Sequence, residues 1–162
     1  MTAPRVLVRV SDLVVADAPA RLAAVALGSC VAIVLHEPTA RIGGMAHVLL
    51  PSQAMSRDRG HPGRFAQTAV PTLVERMIAR GARAPAITAR LVGGASMFTN
   101  LTPPGTIQMG DRNVVAAREA LHRHGIRLVA EAVGADFGRT AELDVETGRL
   151  AITSYLRGTQ YL

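Results

Sequence analysis

The chain has 162 residues and a mass of 17.1 kDa, enough for one folding unit, with 49% hydrophobic and 19% charged residues; that balance excludes a disordered or fibrous protein. A net charge of +6 and a pI near 11.1 invite a nucleic-acid role. However, the 18 basic residues are all arginine, scattered from Arg5 to Arg157, and aromatic residues make up only 3%, so neither a basic patch nor a stacking platform is present and no nucleic-acid partner is expected.

Met1 to Arg9 lacks the order of a secretory signal, and no apolar run approaches the ~20 residues of a membrane helix, so no membrane insertion is expected. The single cysteine, Cys30, has no intramolecular disulfide partner. A lone thiol persists in a reducing compartment, which predicts a cytoplasmic location.

In chain order, Val6, Val8 and Val10 alternate as a first strand that stops at Ser11-Asp12. A second apolar run, Leu22 to Leu27, leads into Gly28-Ser29-Cys30. Val31 to Leu35 and Ile42 to Leu50, separated by Glu37-Pro38-Thr39, predict a hairpin closed by Pro51. Both of its faces are apolar, with Val31, Ile33 and Leu35 on one and Ala32, Val34, Met45 and Leu49 on the other, so the sheet should be covered on both sides.

A polar loop from Ser56 to Gly63 precedes an amphipathic helix carrying Ala66, Ala69, Val70, Leu73, Val74, Met77 and Ile78, kinked by Pro71 and ended by Gly81. A strand from Ile87 to Val92 runs into Gly93-Gly94. Asp111 is the expected N-cap of a second helix, with Val114, Ala117 and Leu121 on its apolar face and Gly125 at its end. Ile126 to Val133 is a strand, and Ala141 to Val145 pairs with Leu150 to Leu156. Strands first, then strands interleaved with helices, predict a mixed α+β architecture: a sandwich-like β core flanked by helices.

If the hairpin turn is centred between Pro38 and Thr39, strand partners sum to 77, so Leu35 faces Ile42, Ala32 faces Met45 and Cys30 faces His47. Directly opposed side chains share a face with Cβ atoms about 4.5–5.5 Å apart, within reach for a nucleophile and its base. An imidazole that accepts the thiol proton raises the thiolate fraction and can later protonate a poor leaving group such as ammonia. Gly28 would let substrate approach the backbone, and the amides near Ser29 and Cys30 would meet an oxyanion. His61 is the rival base, mounted on a Gly- and Pro-rich loop. His36, His122 and His124 are expected on the solvated surface. No cluster has metal-ligand spacing, so no metal is expected. Gly93-Gly94 and Gly134 to Gly138 are expected to be turn glycines, and Met97-Phe98 core residues, with a partner-facing apolar patch as the alternative.

Leu27 to Ala32, followed by Ile42 to Pro51, closely resembles the signature of the CheD family of chemoreceptor glutamine deamidases. The resemblance continues through Pro62-Gly63-Arg64-Phe65, Thr68 to Pro71, Gly93 to Phe98, Gly110 to Asn113, Gly138-Arg139 and Asp144 to Arg149. It implies the α/β fold shared with bacterial toxin deamidases, with Cys30 attacking a receptor glutamine, His47 as base, ammonia leaving, and no cofactor. It also implies methyl-accepting chemotaxis receptors as substrates and the phosphatase CheC as partner. Members of that family usually carry a threonine before the cysteine that orients the histidine, whereas Arg21 to Ala26 supplies no hydroxyl. A backbone carbonyl or Ser29 must then take over, or the chain is a non-catalytic module that binds the phosphatase or receptor. Another amide as substrate is a further alternative.

Overall fold

The computed structural model describes residues 2–162 as two five-stranded mixed sheets and two helices. One sheet takes the order β1 (Arg5–Leu7), β3 (Arg21–Leu27), β8 (Arg139–Asp144), β9 (Leu150–Ser154), β10 (Gly158–Tyr161). The other takes the order β2 (Leu13–Asp17), β5 (Ile42–Val48), β4 (Val31–Glu37), β6 (Thr88–Gly93), β7 (Arg127–Val133). Helices α1 (Ala66–Ala79) and α2 (Met109–Arg123) pack on the second sheet. The sandwich-like α+β expectation holds.

β4 is central, and all seven of its residues are buried, because each face meets a different layer. Val31, Ile33 and Leu35 pack against the helices through Ala69, Leu73, Met77, Ala117 and Leu121. Ala32 and Val34, with Met45 of β5, join Leu22, Leu27, Ala141, Leu143 and Ile152 in the layer between the sheets. Fully burying each Val, Leu, Ile or Met among them contributes about 1.5–3 kcal/mol.

The hairpin exists, but its register differs from the count. Glu37 pairs with Ile42, Leu35 with Gly44 and Ala32 with His47, so partners sum to 79. The turn contains four residues, Pro38 to Arg41. Glu37 is buried and its Oε1 accepts the amides of Thr39 (2.8 Å) and Ala40 (3.3 Å), while Arg41 takes a left-handed φ of 54°. A carboxylate capping the amides beyond Pro38 stabilises a longer loop than the one assumed.

Three other elements depart from expectation. Ser11, at φ 72°, turns the chain from the first sheet to the second, and a strand, β2, follows. Helix α2 begins at Met109 with Gln108 as its cap, so Asp111 lies in the first turn, where its charge suits the helix dipole. β10 is exposed throughout and is held by its backbone ladder to β9. Among the described residues no helix is long and apolar enough to cross a membrane.

Candidate functional site

Cys30 lies one residue before β4 and is half-buried beside the layer between the sheets. His47, near the end of β5, is 3% exposed. Because Ala32 is the direct partner of His47, Cys30 occupies the diagonal position, where spacing is about 7–8 Å rather than side-chain contact distance. The directly opposed pairing is thus corrected, yet both residues keep the face predicted for them.

His47 Nδ1 lies 3.0 Å from the carbonyl oxygen of Val8. A carbonyl only accepts, so Nδ1 carries the hydrogen and Nε2 presents a lone pair. Nε2 is buried and has no hydrogen-bond partner. Leaving such an atom unpaired costs about 1–3 kcal/mol, a cost that recurs at functional sites. Val8 is held in turn: its amide donates to Ala23 O at 2.8 Å. The orienting role that no hydroxyl in Arg21 to Ala26 can supply falls to a main-chain oxygen.

Burial pushes the Cys30 thiol above its ordinary range, opposed by a hydrogen bond from its own amide. Burial pushes the His47 imidazole below its ordinary range, against the Val8 carbonyl and the charge of Asp12. Both groups therefore rest uncharged at neutral pH. An uncharged imidazole with a free Nε2 can accept a proton as the sulfur attacks.

The loop Gly28-Ser29-Cys30 is fixed by its carbonyls. Ala95 N donates to Gly28 O and Gly94 N to Cys30 O, both at 2.8 Å, and Asn113 Nδ2 donates to Ser29 O at 2.9 Å. Among the described residues the Ser29 and Cys30 amides donate to no other backbone group. Gly28 and Ser29 line a recess of about 280 Å³ with Ala95, Ser96, Met97 and Phe98. His47 reaches a second recess of about 360 Å³, walled by Leu7, Val8, Val10, Ala23 and Val25. Met97 and Phe98 are 48% and 67% exposed at the first recess, which corrects the core expectation. Arg139, opposite Leu27 on β8, donates to the carbonyls of Gly93, Ala132 and Gly134 and ties the ends of β6 and β7 to this corner.

The remaining histidines stand apart from this corner. His61 is exposed and lies 3.5 Å from Asp58. His36 is 6% exposed rather than solvated, with Nε2 2.8 Å from Val145 O, and burial lowers its pKa. Imidazoles held neutral bind protons more readily when unfolded, so His36 and His47 contribute stability above about pH 6.5 that is lost as pH falls through their lowered folded values. We expect the melting temperature to decline below pH 6.5, with a slope of up to about 1.4 kcal/mol per pH unit for each imidazole. Calorimetry across pH 7.5 to 5 checks this, and a flat profile would refute it.

The sequence did not single out Val8, the Gly94 and Ala95 amides, or Asn113 as parts of the site. A carbonyl acceptor leaves no trace in residue identity. Asn113 does leave one, as an amide on the apolar stripe of α2 that continues through Ala117, Ala120 and Leu121.

Comparison with known proteins gives concordant results. Residues 49–154 match the family model described as CheD chemotactic sensory transduction, a span that starts two residues after His47. The chain is 37% identical over 155 residues to a "probable chemoreceptor glutamine deamidase CheD" of Caldanaerobacter subterraneus subsp. tengcongensis, covering 96% of each chain. A protein of the same name from Symbiobacterium thermophilum is 41% identical over 157 residues, covering 96% of this chain and 95% of its own. Another, from Methanococcus maripaludis, is 40% identical over 145 residues, 90% and 92% of the two chains. In fold, the chain is similar to the crystal structure of a Neisseria meningitidis protein of family DUF152, with a TM-score of 0.55 and 12% identity over 83% of this chain and 65% of that one.

Proposed function

This chain belongs to the CheD family, and we propose that it is a cysteine-dependent deamidase that converts glutamines of methyl-accepting chemotaxis receptors to glutamates. The names of its relatives support the reaction and substrate class. One observation carries the assignment of residues: Val8 O fixes the His47 tautomer, so a buried, unpartnered Nε2 lone pair lies on the face that Cys30 shares.

In the proposed reaction Cys30 Sγ attacks the carboxamide carbon as its proton moves to His47 Nε2. With both groups neutral at rest, transfer accompanies attack and no standing thiolate is needed. In this reading the amides of Ser29 and Cys30, which donate to no backbone carbonyl, would meet the oxyanion, the Cys30 amide turning from its own sulfur, and Gly28 leaves the recess beside them open. The imidazolium gives its proton to the departing nitrogen, which leaves as ammonia. Water, deprotonated by His47, then hydrolyses the thioester, releasing glutamate and the free thiol. Every step uses groups of the chain and water alone, so no cofactor is required.

The Val8 contact also weighs against the non-catalytic reading, whose basis was the absent hydroxyl. Exposed Met97 and Phe98 at the recess suit an apolar partner surface, on a receptor helix or a CheC-type phosphatase. A cytoplasmic location follows from the lone thiol and from substrates presented inside the cell.

Incubation with receptor cytoplasmic fragments should release ammonia and convert glutamine to glutamate at defined positions by mass spectrometry. No conversion, under conditions in which an active relative works, would overturn the proposal. Because burial lowers the His47 pKa, kcat/KM should fall only as pH drops below about 6.5. An acid limb centred above that value would exclude His47 in its resting state as the base.

A further inference from the structure

Asn113 is fully buried in the second turn of α2, and its Nδ2 donates to two carbonyls, Ser29 O at 2.9 Å and Leu49 O at 3.0 Å. The first belongs to the residue before Cys30, and the second lies two residues after His47. Both neighbours are acceptors, so the amide nitrogen must face them, and Oδ1 is left buried without a partner. One side chain thus spans the two backbone segments that carry the thiol and the imidazole.

The helix that presents Asn113 has little freedom to move. A Cβ on Gly110 would lie 2.4 Å from Ala95 O and 2.5 Å from Gly94 O, so the first turn of α2 rests directly on that backbone. Gly94 and Ala95 in turn donate to Cys30 O and Gly28 O. All three carbonyls of the nucleophile loop are therefore held, and Asn113 supplies the only one of these three bonds that also ties the loop to the segment beyond β5.

We infer that Asn113 is a positioning residue that sets the spacing between Cys30 and His47 by clamping Ser29 and Leu49. This rests on the thiol–imidazole pairing proposed above. In the pairing's diagonal geometry, a small shift of either segment changes whether Nε2 can take the sulfur's proton. An error of about 1 Å in such a spacing costs about 100-fold in rate.

The test is a double-mutant cycle on alkylation of Cys30 by iodoacetamide at pH 7, which needs no receptor. Asn113→Ala should slow labelling about tenfold in the otherwise native chain and should slow it no further in a His47→Ala background. With receptor fragment, kcat should fall and KM should stay within about threefold, since the clamp touches no substrate. Equal slowing in both backgrounds, or none, overturns the inference. A His47→Ala chain that labels as fast as the native one instead refutes the pairing itself, and shows it with Asn113 intact. If Asn113→Ala does not fold by circular dichroism and gel filtration, the same cycle is run with Asn113→Asp, which keeps the shape and loses both donors. Failure of both to fold makes the residue a folding element and also overturns the inference.

Discussion

A Cys30→Ala variant is expected to lose deamidation by roughly 10⁴- to 10⁶-fold while keeping its fold. On the proposed mechanism the loss is large because no other thiol exists in the chain and the remaining groups only support attack by that sulfur. An imidazole at His47 without a nucleophile leaves only activation of water, from a geometry built for a sulfur close to the substrate carbon. The fold should survive because Cys30 is half-buried at the margin of the inter-sheet layer, and removing one atom there costs about 1 kcal/mol. Receptor fragment turnover measured beside a thermal melt separates the two effects. Retained turnover would remove Cys30 from the mechanism.

Gly94→Ala should produce a large loss of stability from a single methyl group. Gly94 has φ +67°, and an added Cβ would sit 2.3 Å from Val114 Cγ2 and 3.0 Å from Gly110 O. The left-handed backbone costs about 1–2 kcal/mol for an L residue, and the overlap adds about 1–3 kcal/mol as α2 is displaced. The sum, about 2–5 kcal/mol, lowers the melting temperature by roughly 5–20 °C in a chain of this size. Activity should fall further than stability explains, because the Gly94 amide holds Cys30 O and the displaced helix carries Asn113. A melting temperature within about 3 °C of the native value would show that the contact relaxes freely.

Much of this architecture is legible in the residues. The apolar run from Leu22 to Leu27, the two-sided apolar character of Val31 to Leu35, and the three-and-four spacing of α1 and α2 each follow from burial, and the folded elements agree. Two strands are hidden. β10 buries nothing, and β2 begins just after a Ser11-Asp12 pair that looks like a stop but is a crossing between sheets. The site was half legible. Cys30 and His47 stand out by residue type and parity, which survives a register error of two. Their separation does not survive it, because hairpin register is decided by turn chemistry, here the Glu37 carboxylate reaching past Pro38. His36 misleads in the opposite direction, since its proximity to the turn suggests solvent while Val145, just beyond β8 of the first sheet, covers it.

The oxygen of Val8 has a consequence for how this catalyst can vary. A hydroxyl that orients a histidine is encoded by one triplet, and one nucleotide change can delete it. A main-chain oxygen has no triplet of its own, so substitutions at Val8 change the side chain and leave the acceptor in place. What the proposed base depends on instead is that the strand before Ser11 stays docked on Ala23. Inheritance of this orienting role is therefore a matter of how Arg5 to Val10 pack, and it is lost by slippage rather than by replacement.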